Sequence, residues 1–120
     1  MEFVALIYND EAAWEGLDDD DRMAVYGRYM KLSEEGRAAG VVKGGNELQP
    51  VDTATTVRVR DGQTTVVDGP YAEVKEALGG YFLFDCASLE EAIEWASRIP
   101  AAESGAIEVR AVNVAQEVES

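Results

Sequence analysis

The polar side chains that could do chemistry in this sequence are concentrated in one segment, Asp68 to Glu76. The segment opens with Asp68-Gly69-Pro70, which is typical of a fixed turn, because proline locks φ and aspartate can bond to its own backbone. A carboxylate and an amine on such a loop can act as general base and general acid once burial moves their pKa values toward neutrality. We therefore predict a loop that rims a pocket, with Asp68, Glu73 and Lys75 as candidate catalytic residues.

The predicted ligand-binding set is wider than the catalytic one. Arg58 lies on an alternating segment, where its guanidinium could hold a carboxylate or phosphate with two hydrogen bonds. Tyr8 lies at the end of the first apolar run, where its phenol could reach a cleft. Structural roles stay open for both, since Arg58 could pair with a carboxylate, Tyr8 could be a core or interface residue, and the loop charges could pair with one another in solvent. The predicted set is Tyr8, Arg58, Asp68, Gly69, Pro70, Tyr71, Glu73, Lys75 and Glu76.

Composition excludes several classes of chemistry. The chain carries 10 Lys and Arg against 24 Asp and Glu, a net charge of −14, so we expect neither nucleic acid nor an anionic membrane surface as a partner. It contains no histidine, which removes histidine bases, Ser-His and Cys-His nucleophiles, and histidine metal sites. The single Cys86 cannot form an internal disulfide, and we expect it to pack in the interior. We expect neither a metal nor a cofactor.

Length and segment composition predict one soluble domain. The 120 residues fit a single domain, which we place at residues 1–115, followed by a polar tail at 116–120. No apolar run approaches the roughly 18 residues that a membrane span needs. The opening MEFVALIYND lacks the basic flank and long apolar core of a signal peptide. Together with the lone cysteine, these features predict a cytoplasmic location.

Hydrophobic periodicity and turn signals predict the order β-α-β, hairpin, β-α-β. Asp61-Gly62 between two alternating segments indicates a tight hairpin. Ser88 followed by Glu91 is typical of a helix N-cap, and Asp18–Asp21 fits a helix N-terminus better than the spacing of a calcium loop. The order matches an α+β ferredoxin-like sandwich, an antiparallel sheet with two helices on one face and an extra hairpin. The predicted elements are strands 3–8, 41–49, 56–60, 64–67, 81–86 and 106–114, and helices 19–39 and 89–99.

The predicted packing faces follow from the same periodicity. Gly44-Gly45 predicts a bulge or a close backbone approach within the second strand. Glycines at both ends mark residues 68–80 as a loop. Helix 19–39 is predicted to carry one broad apolar face of Met23, Val25, Tyr26, Tyr29, Met30, Leu32 and Gly36. Helix 89–99 is predicted to carry a stripe of Leu89, Ala92, Ile93, Ala96 and Ile99.

Two predicted strands, 3–8 and 81–86, are apolar on both faces. Two helices can cover only one face of a sheet. The other face would then expose a larger apolar patch than monomers usually tolerate. We therefore predict a homodimer in which the uncovered sheet face is shared, most simply about a twofold axis. Trp14 and Trp95 are predicted to cover helix edges or the seam of this dimer.

The segment 68–85, DGPYAEVKEALGGYFLFD, resembles the signature of the DGPF-type members of the YCII-related family. In that signature a DGPF-A-E-T-K-E loop precedes a Gly-Gly-aromatic strand. The likeness extends over almost the whole chain, including LIYNDE with Trp14, the helix ending AAGV, the Gly-Gly pair with Leu48, and the segments ATTVR and IEVR. Three positions depart from the family pattern: Tyr71, Val74 and Ala111.

The resemblance implies a ferredoxin-like fold of the dimeric α+β barrel group. DGPF-type members often accompany genes for extracytoplasmic-function sigma factors, which implies a regulatory link. The wider family includes a dehydrochlorinase that acts on a small aromatic ring, for which a His-Asp dyad has been proposed. A chain without histidine cannot hold that dyad.

The function predicted from these features is binding of a small polar or aromatic metabolite, in a cleft between the sheet and loop 68–80. If the protein is an enzyme, we expect a lyase-like or isomerase-like proton transfer, with Asp68 or Glu73 as base, Lys75 or Tyr71 as donor and Arg58 orienting the ligand. The alternative is a non-enzymatic regulatory module whose acidic surface docks a basic patch on a partner, with a functional link to a sigma factor.

Overall fold

The computed structural model describes residues 1–114. The predicted tail, 116–120, and the last residue of the predicted domain lie outside the described residues. The strands are β1 (Glu2–Asn9), β2 (Val42–Glu47), β3 (Thr55–Arg60), β4 (Gln63–Asp68), β5 (Ala77–Asp85) and β6 (Ala106–Ala111), and the helices are α1 (Glu11–Glu15), α2 (Asp19–Ala38) and α3 (Leu89–Ala96). Short 3₁₀ helices span Val51–Thr53 and Pro100–Glu103. No helix within residues 1–114 is long and apolar enough to cross a membrane.

The main sheet has four strands in the order β2-β5-β1-β6, and each neighbouring pair is antiparallel. Helices α2 and α3 pack on one face of this sheet. Strands β3 and β4 pair only with each other and form a separate two-stranded sheet. The predicted α+β ferredoxin-like sandwich with an extra hairpin is therefore confirmed.

The core lies between the helices and the face of the sheet that they cover. Side chains alternate between the two faces of a strand, so Phe3 and Ala5 of β1 point inward with Phe84 and Phe82 of β5 directly opposite them. Leu32 of α2 closes the core from the helix layer, and all five are buried. This packing fixes α2 over the sheet and therefore positions the other side chains of α2.

No helix of residues 1–114 packs on the other face of the sheet, which we call the open face. It is formed by the residues that alternate with the core positions, among them Val4, Leu6, Tyr81 and Leu83, all of which are half-buried. The amide of Asn46 donates a hydrogen bond of 2.9 Å to the hydroxyl of Tyr81 on this face. The prediction that the strands now labelled β1 and β5 are apolar on both faces is confirmed.

The predicted apolar face of α2 is wrong in part. Leu32 is buried, but Met23 and Met30 are 71% and 68% exposed. At about 100° per residue, positions 23 and 30 fall on the side of the helix opposite Leu32, so they cannot share its contact with the sheet. In α3, Leu89 and Ile93 are likewise exposed, and the buried stripe is narrower than predicted.

The start of β5 also differs from the prediction. Strand β5 begins at Ala77 rather than at position 81, because Gly79 and Gly80 are strand residues rather than loop residues. A β-carbon on Gly80 would lie 2.8 Å from the carbonyl oxygen of Asn46, so glycine permits the close approach of β2. Helix α1 was not predicted. The bulge predicted at Gly44-Gly45 is confirmed, since the β2–β5 register shifts between Val42 and Gly44.

Two predictions about charged or reactive residues are confirmed. The carboxylate of Asp18 accepts a hydrogen bond of 2.8 Å from the backbone N–H of Asp21, and the acidic run fills the first turn of α2. Cys86 is buried, and burial, aided by the nearby carboxylate of Glu91, raises the pKa of its thiol. A buried thiol with a raised pKa is a packing residue rather than a nucleophile.

Strands β3 and β4 form a hairpin, residues 55–68, that we call the arm. Its turn has Asp61 at φ 52° and Gly62 at φ 76°, the left-handed conformations that a two-residue hairpin turn requires. The radius of gyration is 16.6 Å, against about 13 Å for a compact domain of this length. The arm therefore extends away from the body of the protein.

Candidate functional site

A cavity of about 540 Å³ lies between α1, the first half of α2 and the helix-facing side of the sheet. Its floor is formed by β1 and β5 at Ile7, Gly80 and Phe82, and the 3₁₀ helix Pro100–Glu103 closes one end. Small-molecule sites typically occupy roughly 300–1,000 Å³. The cavity is therefore large enough for a single-ring metabolite.

Aromatic rings form one wall of the cavity. The rings of Trp14 and Tyr26 meet edge to face, with centroids 5.3 Å apart and planes at 83°. Deeper in the cavity, Tyr29 stacks on Phe82 with centroids 6.4 Å apart. Aromatic faces and edges of this kind bind a planar ring or a cation well.

The short helix α1 places Trp14 over the cavity, and polar contacts hold that helix. The Asp10 carboxylate caps it by accepting a hydrogen bond of 3.0 Å from the Ala12 N–H. At the other end, the guanidinium of Arg22 donates to the carbonyls of Trp14, at 3.2 Å, and Glu15, at 2.6 Å. Arg22 thereby satisfies the carbonyls that a helix leaves unpaired at its C-terminus.

Polar groups stand at several points of the wall. The Glu11 carboxylate accepts a hydrogen bond of 3.0 Å from the backbone N–H of Val51, which ties α1 to the segment after β2. The Tyr26 hydroxyl donates to the Glu47 carboxylate at 3.3 Å. These groups can bind the polar substituents of a ligand whose ring lies on the aromatic wall.

Both cavity tyrosines hold their hydroxyl protons more strongly than usual. Burial raises the pKa of Tyr29. Burial, with the neighbouring Glu47 carboxylate, raises the pKa of Tyr26. Both phenols are therefore neutral hydrogen-bond donors at physiological pH.

The charge of the lining is strongly acidic. Among residues 1–114, the only cation in the lining is Arg28, which donates hydrogen bonds of 3.1 and 2.5 Å to the Glu103 carboxylate at the rim. These hydrogen bonds lower the pKa of Glu103. The carboxylates in the lining are Asp10, Glu11, Glu15, Glu47 and Glu103. The cavity therefore favours a neutral or cationic ligand over an anion.

Comparison with known proteins agrees with this fold. The YCII-related domain matches residues 1–115. The chain belongs to the YCII-related family. It is 39% identical over 119 residues to the uncharacterized protein R00369 of Rhizobium meliloti (strain 1021), a match that covers 92% of this chain and 90% of that protein.

None of the predicted site residues of this YCII-related protein lines the cavity of about 540 Å³. The predicted loop lies at the base of the arm, where Pro70 and Glu73 line a separate depression of about 450 Å³ with Val51 and Ala77. Within residues 1–114, no three His, Cys, Asp or Glu side chains come together to hold a metal ion. The predicted loop and the cavity are thus different places on the protein.

The structure brings two of the predicted ligand-binding residues together. The guanidinium of Arg58 lies over the ring of Tyr71, 5.1 Å from its centroid. Gly69 is held against the arm, because its N–H donates to the Ala54 carbonyl at 2.7 Å and its carbonyl accepts from the Thr56 hydroxyl at 2.8 Å. Gly69 therefore continues the pairing of β4 with the β3 side of the arm, and the loop starts after it.

The predicted catalytic residues are spread out and solvated in the single chain. The side chains of Asp68, Glu73, Lys75 and Glu76 are exposed, and within residues 1–114 they make no side-chain hydrogen bond or ion pair with one another. Acid-base catalysis by this loop would need burial that one chain does not provide. Tyr8 is half-buried, opposite Leu78 and Ala106, and does not reach the loop's depression.

The residues that sequence reasoning missed are the aromatic and acidic groups of the cavity wall. Tyr26 and Tyr29 were assigned to the packing face of α2, and Trp14 to a helix edge or a dimer seam. The sequence feature that could have indicated them is the polar group of each ring, the hydroxyl of tyrosine and the indole N–H of tryptophan. When such a ring is buried, its polar group needs a hydrogen-bond partner or a water-filled cavity. The missed residues are Glu11, Trp14, Tyr26, Tyr29 and Glu47.

Proposed function

We propose that this YCII-related protein binds a small aromatic molecule, neutral or cationic, in the cavity between α1, α2 and the sheet. The observation that carries the proposal is the cavity of about 540 Å³ that has an aromatic wall and an acidic lining. The prediction of a small polar or aromatic metabolite is kept, with its site placed on the helix side of the sheet.

The aromatic wall supports the ring of the ligand. Edge-to-face contact with Trp14 and Tyr26 contributes about 0.5–1.5 kcal/mol per ring pair beyond the burial of area. The phenol of Tyr29 is a neutral donor that can bind an acceptor on the ligand without a charge penalty. The Tyr26 hydroxyl donates its proton to Glu47, so its oxygen can accept a hydrogen bond from a hydroxyl or ammonium group of the ligand. A hydroxylated ring fits both features.

The acidic lining supports the charge preference. Arg28, the only cation that the described part of the chain places in the lining, is already hydrogen-bonded twice to Glu103, so a ligand carboxylate would face mainly carboxylates. An ammonium group would instead be attracted by Glu11 and Glu47 and by the aromatic faces.

A matched series of probes tests this. Tyramine, tyrosol and 4-hydroxyphenylacetate share one phenol ring and carry a cationic, a neutral and an anionic group. Thermal unfolding should show stabilisation by tyramine, less by tyrosol and none by 4-hydroxyphenylacetate, and a probe at 100 times its Kd adds about 2.7 kcal/mol. Trp14→Leu should remove the effect, whereas Arg58→Ala should not. If 4-hydroxyphenylacetate stabilised the protein and Arg58→Ala abolished that stabilisation, the binding site would lie at the loop. If none of the three probes stabilised the protein, the proposal would be refuted.

We also propose that any reaction would be a lyase-like or isomerase-like proton transfer on the predicted loop. Asp68 ends β4, and Glu73 and Lys75 follow it in the loop, and a second copy or a closed loop could supply the burial they lack. Asp68→Asn and Lys75→Ala test this. Both variants should keep tyramine binding and lose any turnover, and unchanged turnover would exclude the loop from catalysis.

We also propose that the protein forms a homodimer through the open face. Val4, Leu6, Tyr81 and Leu83 form an apolar surface that no helix covers, and a second copy would bury it about a twofold axis. Sedimentation equilibrium should show a species of twice 13.0 kDa at micromolar concentration. A single 13.0 kDa species would exclude this dimer. A cytoplasmic location is also proposed, on the composition alone.

A second candidate function is a regulatory docking module linked to a sigma factor. The net charge of −14 favours it, because an acidic surface can dock a basic patch on a partner. Such binding should weaken steeply as salt rises from low to physiological concentration, whereas ligand binding in the cavity should change little. Salt-independent binding of the partner would exclude docking through this acidic surface.

A further inference from the structure

Tyr26 and Tyr29 offer different hydrogen-bonding groups to the cavity. The Tyr26 hydroxyl donates its proton to the Glu47 carboxylate at 3.3 Å, so its oxygen is left as an acceptor. Within residues 1–114, no group accepts the proton of the Tyr29 hydroxyl in a hydrogen bond. Tyr29 is therefore free to donate to a ligand, whereas Tyr26 accepts from one.

The inner end of the cavity lies at Tyr29. Its ring stacks on buried Phe82, with centroids 6.4 Å apart, and the 3₁₀ helix Pro100–Glu103 closes this end. Burial raises the pKa of Tyr29, and the backbone N–H of Ala101 offsets part of that rise. The phenol therefore keeps its proton at neutral pH, and the inner end fits an acceptor oxygen on the ring of a ligand.

The outer end of the cavity lies at Tyr26 and Glu47. Glu47 is the last residue of β2 and lies opposite Gly80, a floor residue of the cavity, so strand pairing directs its side chain to the helix-covered side of the sheet. Tyr26 is 43% exposed and Glu47 is exposed, so this end opens to solvent. It presents acceptors, which fit the three N–H donors of an ammonium group.

Glu47 is better placed than Glu11 to bind such a group. Both carboxylate oxygens of Glu11 accept from the backbone N–H of Val51, at 3.0 and 3.4 Å. Glu47 binds the Tyr26 hydroxyl through Oε2, and within residues 1–114 its Oε1 makes no hydrogen bond. A charge-assisted hydrogen bond to Oε1 costs no contact that the protein already makes.

We propose that the cavity selects a ring-hydroxylated arylalkylamine in one orientation, with the ring oxygen at Tyr29 and the ammonium group at Tyr26 and Glu47. The inference rests on the function proposed above and deepens it, since it assigns each end of the ligand to a residue. The ring lies between these ends, against the wall that Trp14 forms with Tyr26. The reversed orientation would bury the ammonium group at the inner end, away from Glu47.

The same arrangement selects the amine over the corresponding amino acid. An amino acid carries a carboxylate on the carbon that bears the ammonium group, so binding at Glu47 brings that carboxylate close to the acidic outer end. Arg28 does not offset this repulsion, because it is hydrogen-bonded twice to Glu103. L-Tyrosine should therefore bind roughly tenfold or more weakly than tyramine, and equal binding of the two would show that the outer end does not select an amine.

Three probes separate the contributions of the two ends. Tyramine carries both polar groups, phenethylamine lacks the ring oxygen, and tyrosol has a neutral hydroxyl in place of the amine. Isothermal titration calorimetry should show that the wild type binds tyramine about three- to tenfold more tightly than phenethylamine, the effect of one neutral hydrogen bond. It should bind tyramine roughly tenfold or more tightly than tyrosol, the effect of a charge-assisted one.

Two conservative variants should each remove one of these preferences. Tyr29→Phe keeps the ring that stacks on Phe82, so tyramine and phenethylamine should bind alike while the preference over tyrosol stays. Glu47→Gln should reduce the preference over tyrosol to less than about threefold and keep the preference over phenethylamine. Glu34→Gln removes the same charge from an exposed position of α2 outside the cavity and should change neither preference.

The pattern of losses identifies the orientation. If Tyr29→Phe removed the preference over tyrosol and Glu47→Gln removed the preference over phenethylamine, the ligand would bind reversed and the proposal would be wrong. Loss of both preferences in both variants, or of neither in either variant, would also overturn it. Tyramine binding that Trp14→Leu abolishes would still support the proposed function in those cases. If the wild type bound none of the three probes, both proposals would be refuted.

Discussion

A β-carbon on Gly36 of α2 would lie 2.3 Å from Cγ2 of Val42 in β2, closer than any real contact. Gly36 is buried, and the same β-carbon would lie 3.5 Å from the ring of Trp95 in α3. The absence of a side chain lets α2 rest directly on β2. This contact sets the height of α2 above the sheet and therefore the depth of the cavity under Tyr29.

Gly36→Ala should destabilise the protein by about 1–2 kcal/mol, since the overpacking penalty exceeds the gain in helix propensity. Gly27→Ala in the same helix is the matched control. No atom lies within 4 Å of its β-carbon, so the substitution should stabilise by up to about 1 kcal/mol. Urea unfolding followed by circular dichroism measures both. Destabilisation of Gly36→Ala that Val42→Ala does not relieve would show that this contact is not the cause.

Arg22 should hold Trp14 over the cavity through its hydrogen bonds to the C-terminal carbonyls of α1. Arg22→Met keeps the length of the side chain and removes these bonds, and it should lower the unfolding free energy by about 1–2 kcal/mol. In a Trp95→Phe background, acrylamide should quench Trp14 fluorescence more strongly in Arg22→Met than in the exposed control Lys31→Met. Equal quenching in both variants would show that α1 keeps its place without Arg22.

Short sequence motifs correctly predicted the elements whose conformation depends on neighbouring residues. Asp61-Gly62 predicted the hairpin because few residues other than glycine and aspartate accept positive φ. Gly44-Gly45 predicted the bulge, and the strand and helix order predicted the ferredoxin-like fold. These features depend on short-range chemistry, which the sequence displays directly.

The cavity depended on features that periodicity does not display. Helix α1 spans only Glu11–Glu15, too short to show a helical period, so the sequence did not predict that it carries Trp14 over a cavity. The alternation of β3 predicted a hairpin strand, and it does not show that within residues 1–114 this strand pairs with β4 alone, apart from the main sheet. The loop was predicted too long, because Gly79-Gly80 indicates a turn locally and a close strand approach only in three dimensions.

The N-cap of α3 should contribute measurably to stability. The Ser88 hydroxyl accepts a hydrogen bond of 3.2 Å from the Glu91 N–H, and the Glu91 carboxylate accepts one of 2.8 Å from the N–H of Ala87. Ser88→Ala should lower the unfolding free energy by about 1 kcal/mol, and Ser88→Asp should restore most of it. Ser97→Ala, at the other end of α3, removes only a hydroxyl bonded to the Glu94 carbonyl and should change stability by less than about 0.5 kcal/mol. Equal losses in Ser88→Ala and Ser97→Ala would contradict a capping role.

The ion pair at the cavity rim should make stability depend on pH in one direction. Hydrogen bonds from Arg28 lower the pKa of Glu103 from its ordinary value of 4.5, so the folded protein binds this proton less tightly than the unfolded chain does. The resulting stabilisation is present above pH 4.5 and is lost as pH falls through the lower pKa of the folded state. Urea unfolding from pH 7 to pH 3 should therefore show Glu103→Gln less stable than wild type at neutral pH, with the difference shrinking as the solution becomes acidic. Because the pair is exposed, added salt should reduce the same difference at pH 7. If the stability difference between Glu103→Gln and wild type stayed constant from pH 7 to pH 3, folding would not change the pKa of the Glu103 carboxylate.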